Sequence, residues 1–168
     1  MRKYSRTALV SLLAVLGGSQ AASSLAADNC RPFDATLLLH MAPEGCTSPV
    51  KVCTRATVVS SDPYLAGATW FFSMQGNAPS MGLPETIEPA STLSYAGVVL
   101  VTTRNDGTFS TKNIGVFDSS IGVFSQLDRI VDGTDRFANA KGTIFISGSG
   151  NADAGFASKV RGEICLNQ

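Results

Sequence analysis

The chain has 168 residues, with 13 Lys and Arg set against 13 Asp and Glu and only 15% of residues charged. There is no basic run, so no electrostatic footprint for phosphate, and the sequence argues against a nucleic-acid partner. A length of this order suits one domain after any leader is removed.

Arg2, Lys3 and Arg6 precede an apolar run from Ala8 to Leu16 and a small-residue tract ending Ser24-Leu25-Ala26-Ala27. This is the pattern of a secretory signal peptide over residues 1–26, cleaved after Ala26 or alternatively after Ala21. The run is shorter than the roughly 20 residues that a spanning helix needs, and no later segment is apolar enough to span, so no membrane span is expected. The mature chain, 27–168, is then mildly acidic and is expected to be secreted or periplasmic.

Cys30, Cys46, Cys53 and Cys165 all lie in the exported part, and an even count there points to disulfides. Of the three possible pairings, the favoured one joins Cys46 to Cys53 across a short loop and Cys30 to Cys165 near the two chain ends. No Cys-x-x-Cys pair occurs and His40 is the only histidine, so neither a metal nor a cofactor is expected.

Along the mature chain the apolar residues recur with period two. Phe33, Ala35, Leu37 and Leu39 predict a first strand; Val50, Val52, Ala56 and Val58 a second; Ala68, Trp70, Phe72 and Met74 a third. Asn77 to Ala90, with Pro79, Pro84 and Pro89, reads as a long loop, because proline cannot donate to a ladder. Leu93 to Thr103 and Thr108 to Phe117 form a hairpin about Asn105-Asp106-Gly107. The repeated Ile-Gly-Val-Phe at 114–117 and 121–124 is two strand pieces around the turn Asp118-Ser119-Ser120. Val123 to Val131, Gly142 to Ser147 and a last strand carrying Phe156, Val160 and Ile164 complete the set. About eight short strands with glycine-rich turns fit an all-β, closed or nearly closed antiparallel barrel, with a two-sheet sandwich as the alternative.

Asp132-Gly133-Thr134-Asp135-Arg136-Phe137-Ala138-Asn139-Ala140-Lys141-Gly142-Thr143-Ile144, followed by an apolar strand and Arg161-Gly162-Glu163-Ile164, resembles the Gly-Gly-Thr-Gly-x-Phe-x-x-Ala-x-Gly motif of the allene oxide cyclase and dirigent-like β-barrels. Asp132 and Asp135 stand where that motif has glycines. The resemblance implies a barrel, and for this chain a secreted member whose motif is structural. Gly133 is expected to turn the chain sharply with positive φ and Thr134 to cap a short helical turn through its hydroxyl. Phe137 would then fold beneath the barrel, with Ala140 and Gly142 allowing close backbone approach.

Chemistry is sparse. No Gly-x-Ser-x-Gly elbow accompanies His40, which reads as a strand-end residue. Asp128, Asp132 and Asp135 lack the spacing of an EF-hand loop, and Arg104 and Glu163 read as outward and solvated. Two functions remain: a non-catalytic exported module that binds a small apolar ligand or a partner protein or is purely structural, and a cyclase or isomerase that shapes an apolar substrate in the barrel. The sequence favours the first, with Trp70 and Phe72 the leading candidates to line a pocket.

Overall fold

The computed structural model describes residues 29–79 and 91–166. The expected signal peptide and most of the proline-rich segment lie outside these residues. The described residues form nine strands: β1 (Asn29–Met41), β2 (Cys53–Thr57), β3 (Val59–Ser60), β4 (Thr69–Pro79), β5 (Thr92–Thr102), β6 (Thr108–Asp118), β7 (Val123–Gly133), β8 (Lys141–Asn151) and β9 (Gly155–Leu166). A single 3₁₀ turn, Asp135–Phe137, interrupts them among the described residues. Every pairing is antiparallel.

The sheet runs β2-β4-β5-β6-β7-β8-β9-β1, and β1 pairs back to β2 at His40↔Arg55 and Met41↔Thr54. This closes an eight-stranded barrel, and the two-residue β3 is added against β1 at Ala35 and Thr36. Closure follows from the alternation: Phe33, Ala35, Leu37 and Leu39 on β1 and Phe156, Val160 and Ile164 on β9 all turn inward, toward Trp70 and Phe72 of β4. An open sheet would leave that apolar face half in water and two edges unpaired.

Two strand expectations need correction. Val50 and Val52 precede β2, and its inward residues are Thr54 and Ala56, continued by Val58 in the next position. The tight loop closed by Cys46–Cys53 takes Val50 out of the sheet: Ser48 Oγ accepts the backbone N–H groups of Val50 and Val52. β4 also continues through Asn77 and Ala78 to Pro79, after a bulge between Met74 and Gly76. Its pairing to β2 ends at Ser73, so among the described residues Pro79 lies where the strand is paired on one side, to β5, as suits a proline.

Both disulfides pair as expected, Cys30 with Cys165 and Cys46 with Cys53. Such bonds persist in oxidising compartments, and no helix among the described residues is long and apolar enough to cross a membrane.

The two ends of the barrel differ. Around Cys30–Cys165 the interior is filled by Phe109, Phe137, Ile130, Ile144 and Ile164. Phe109 and Phe137 are both fully buried, their ring centroids 5.1 Å apart. Outside this plug, Tyr64 lies between two guanidinium groups, Arg31 at 3.9 Å and Arg136 at 4.5 Å from its ring centroid. Arg31 pairs with Asp62 and Arg136 with Asp106, so one aromatic ring ties together β1, two connecting loops and the 3₁₀ turn.

Candidate binding site at the barrel mouth

At the other end the described residues leave the interior unfilled. A cavity of about 590 Å³ opens there, between the ends of β1, β4, β6 and β8 and the starts of β5, β7 and β9. Trp70, Phe72, Phe117, Phe124 and Phe156 form most of its wall, with Leu39, Met74 and Ile146. The rings meet edge to face: Phe156 is 6.0 Å from both Phe117 and Phe124, and Phe72 is 5.9 Å from Tyr95. Edge-to-face contact is a favoured arrangement for aromatic pairs, so these rings fix one another in place. The exposed residues Ser119, Ser120, Ile121 and Asn151 stand at the rim.

The inner wall is polar. Tyr95 and Gln126 line the cavity, and below Gln126, one inward position further along β7, lies the fully buried Asp128. Tyr95 Oη donates to Gln126 Oε1 at 3.0 Å, and Gln126 Nε2 donates to Asp128 Oδ2 at 2.8 Å. The other carboxylate oxygen accepts from Thr111 Oγ1 at 2.5 Å and from Asn113 Nδ2 at 3.2 Å. Glycine positions the tyrosine: a Cβ at Gly115 would overlap the Tyr95 ring carbon that carries the hydroxyl.

Burial pushes the Asp128 carboxyl above its ordinary value, while its three hydrogen-bond donors oppose the shift by favouring the carboxylate. Tyr95 is also raised, first by burial and then by the charge of Asp128, so its phenol keeps its proton. The arrangement is the usual form of a small-molecule site, an apolar concavity with a few convergent polar groups.

Trp70 and Phe72 both lie on the cavity wall. Gly133, Thr134, Phe137, Ala140 and Gly142 lie at the opposite, plugged end. Phe137 does fold under the barrel, and a Cβ on Gly142 would overlap the Glu163 carbonyl oxygen. Two details of that motif are corrected. Gly133 is not among the residues with positive φ; it must be glycine because a Cβ would overlap the Phe137 carbonyl oxygen, and the left-handed conformation falls on Asp135, at φ 51°. Thr134 makes no side-chain cap; its Oγ1 instead accepts the backbone N–H of Thr108 at 3.0 Å, pinning the turn to β6.

His40, Arg104 and Glu163 are exposed and away from the cavity wall. Asp128 is separated from the exposed Asp132 and Asp135, so the three do not share a site. Cys30, Glu163 and Cys165 lie close together, but both sulfurs are committed to the disulfide.

Sequence reading missed Tyr95, Gln126 and the inward role of Asp128. The signal was present in the phase of the strands. Gln126 and Asp128 alternate in step with Phe124 and Ile130, and Thr111 and Asn113 in step with Phe109 and Phe117, so four polar residues occupy core positions on two paired strands. The chain matches no protein-family model, no curated protein and no solved structure.

Proposed function

We propose that this chain is an exported β-barrel that holds a small, mainly apolar molecule in its mouth cavity. The observation that carries the reading is the contrast within one interior: one end is packed solid, while the other keeps about 590 Å³ open behind aromatic walls and a polar inner face. Maintaining such a space forgoes the dispersion contacts that filling it would supply, and a bound ligand restores them. Export is supported by the two disulfides and by the signal-like residues 1–26. The proposed resemblance to allene oxide cyclase and dirigent-like barrels is supported by the motif from Asp132 to Ile144 and by the barrel itself.

Trp70 is the only tryptophan in the chain and lines the cavity, so it reports occupancy directly. Titration with fatty acids, terpenoids and phenolics should quench or shift its emission with saturable curves for at least one class. No change with any of them would remove the binding reading and leave a structural or partner-binding module.

A cyclase or isomerase is the second reading, and Asp128 favours it, being an inward carboxyl with a raised pKa. Asp128 does not line the cavity, however, and reaches it only through Gln126 and Tyr95. A buried group without contact to a substrate is better placed to orient its neighbours than to transfer a proton itself. Binding is therefore the primary proposal.

A further inference from the structure

The polar inner wall has a direction. The Asp128 carboxyl accepts from three side chains, and Thr111, Asn113 and Gln126 each turn a donor toward it. Asn113 shows the effect: its Nδ2 faces Asp128, and its Oδ1 is left buried without a hydrogen-bond partner. Gln126 is constrained in the same way. With one N–H of Nε2 given to Asp128, its Oε1 faces Tyr95, and the only hydrogen of the Tyr95 hydroxyl is spent on that oxygen. What Tyr95 has left for the cavity is a lone pair.

We infer that the cavity selects ligands carrying a hydroxyl donor over ketones of the same skeleton, because Asp128, acting through Gln126, leaves Tyr95 able only to accept a hydrogen bond. The inference rests on the binding reading and specifies the ligand it would take: an apolar alcohol or phenol, oriented with its hydroxyl toward Tyr95. The hydroxyls of Ser119 and Ser120 donate to the Ser91 carbonyl and to Asp118 Oδ1, but they stand exposed at the rim, where water exchanges for those bonds, and so impose no such direction. Thr54 lines the wall beside Phe72 and offers both a donor and acceptors, so it cannot discriminate either.

The test compares alcohol and ketone pairs of equal size, borneol with camphor and 2-dodecanol with 2-dodecanone, by isothermal titration calorimetry. A ketone would place its oxygen against the Tyr95 lone pair with no hydrogen between them. The alcohol of each pair should bind about tenfold more tightly, the discrimination that one made or unmade buried hydrogen bond supports. In Asp128→Asn the remaining oxygen keeps the Oδ1 place, where Thr111 and Asn113 both donate, so the N–H₂ stands in the place of Oδ2. Gln126 must then turn its Oε1 toward residue 128 and its Nε2 toward Tyr95, which frees the tyrosine hydrogen for the cavity, and the preference should vanish or reverse. Tyr95→Phe should bring the two affinities of each pair together without passing through any amide reorientation.

The outcomes separate. If neither pair gives heat of binding, the binding reading falls and the inference with it. Binding with equal affinities within each wild-type pair would overturn the inference alone. So would a tenfold alcohol preference that survives in Tyr95→Phe, or in a folded Asp128→Asn protein.

Discussion

The two ends of this barrel are built from the same strands in the same alternation, yet among the described residues one is solid and the other is open. At the plugged end the inward positions carry Phe109, Ile130, Ile144 and Ile164, and the chain sends Phe137 back into the remaining space. At the mouth the rings of Phe117, Phe124 and Phe156 line the wall edge to face, and no segment among the described residues returns to fill the space between them. Polar residues mark the boundary: Tyr95, Gln126, Asp128, Thr111 and Asn113 form one hydrogen-bonded chain across β5, β6 and β7. The lesson is that period-two patterning specifies a closed barrel but not whether it is filled; that depends on which connections double back.

Each end also has its own disulfide, which gives the largest expected difference. Cys30 and Cys165 are 135 residues apart in sequence, Cys46 and Cys53 only 7. In the chain-entropy account, replacing the first pair by serine costs about 5 kcal/mol and replacing the second about 2 to 3. Urea denaturation of the two double variants measures this. Equal losses would mean that the long bond closes a loop already restricted in the unfolded chain.

Packing at the two ends should differ next. Phe137→Ala removes a fully buried ring from the plug and should cost about 3 to 5 kcal/mol, as large-to-small core changes do. Phe156→Ala, on the half-buried cavity wall, should cost clearly less, because its site already faces open space. Thermal melts of both variants check the order, and a reversed order would break the distinction between a plugged and an open end.

Within the motif turn the contrast is steric. Gly133→Val should cost about 1 to 3 kcal/mol, since the new side chain meets backbone that cannot move without displacing Phe137. Asp135→Asn should stay within about 0.5 kcal/mol, because asparagine also tolerates the left-handed conformation that Asp135 adopts. Comparable shifts from the two would show that the close approach at Gly133 is not maintained.

The smallest effect is recognised by its sign. The folded state holds the Asp128 carboxyl above its ordinary value of 3.8, so between that value and the raised one the folded chain binds more protons than the unfolded chain. The contribution of Asp128 to stability therefore increases as pH falls through this window and is lost as pH rises through the folded value. Subtracting the stability of Asp128→Asn from that of the wild type at each pH between 4 and 7 isolates it. The difference should move in favour of the wild type as pH falls; the opposite slope would mean that the hydrogen bonds from Thr111, Gln126 and Asn113 outweigh burial.

Much of the architecture was legible in the sequence. The strands around Phe33–Leu39, Trp70–Met74 and Phe156–Ile164 declare themselves by alternation, and the cysteine positions favour, among three possible pairings, the one that is found. Trp70 and Phe72 could be placed on an inward face for the same reason. Val50 and Val52 misled because alternation runs on through a loop whose geometry is set by Ser48 and the Cys46–Cys53 bond, neither of which is part of the period. Gly133 misled because a glycine can answer to crowding as well as to backbone angle, and the neighbour that crowds it, Phe137, reaches it only after the chain turns. The polar chain was harder still: Gln126 and Asp128 are in phase with the core, but their partners Tyr95, Thr111 and Asn113 become visible only once β5, β6 and β7 are in register.

The most direct test of the account is to map a bound alcohol on the protein by NMR. Borneol added to isotope-labelled protein should shift resonances of Trp70, Tyr95, Phe124, Gln126 and Phe156 while leaving Phe109, Phe137 and Ile144 unmoved. Shifts confined to the plugged end or to the outer faces of the strands, or no shifts at saturating borneol, would contradict an open mouth above a polar inner wall.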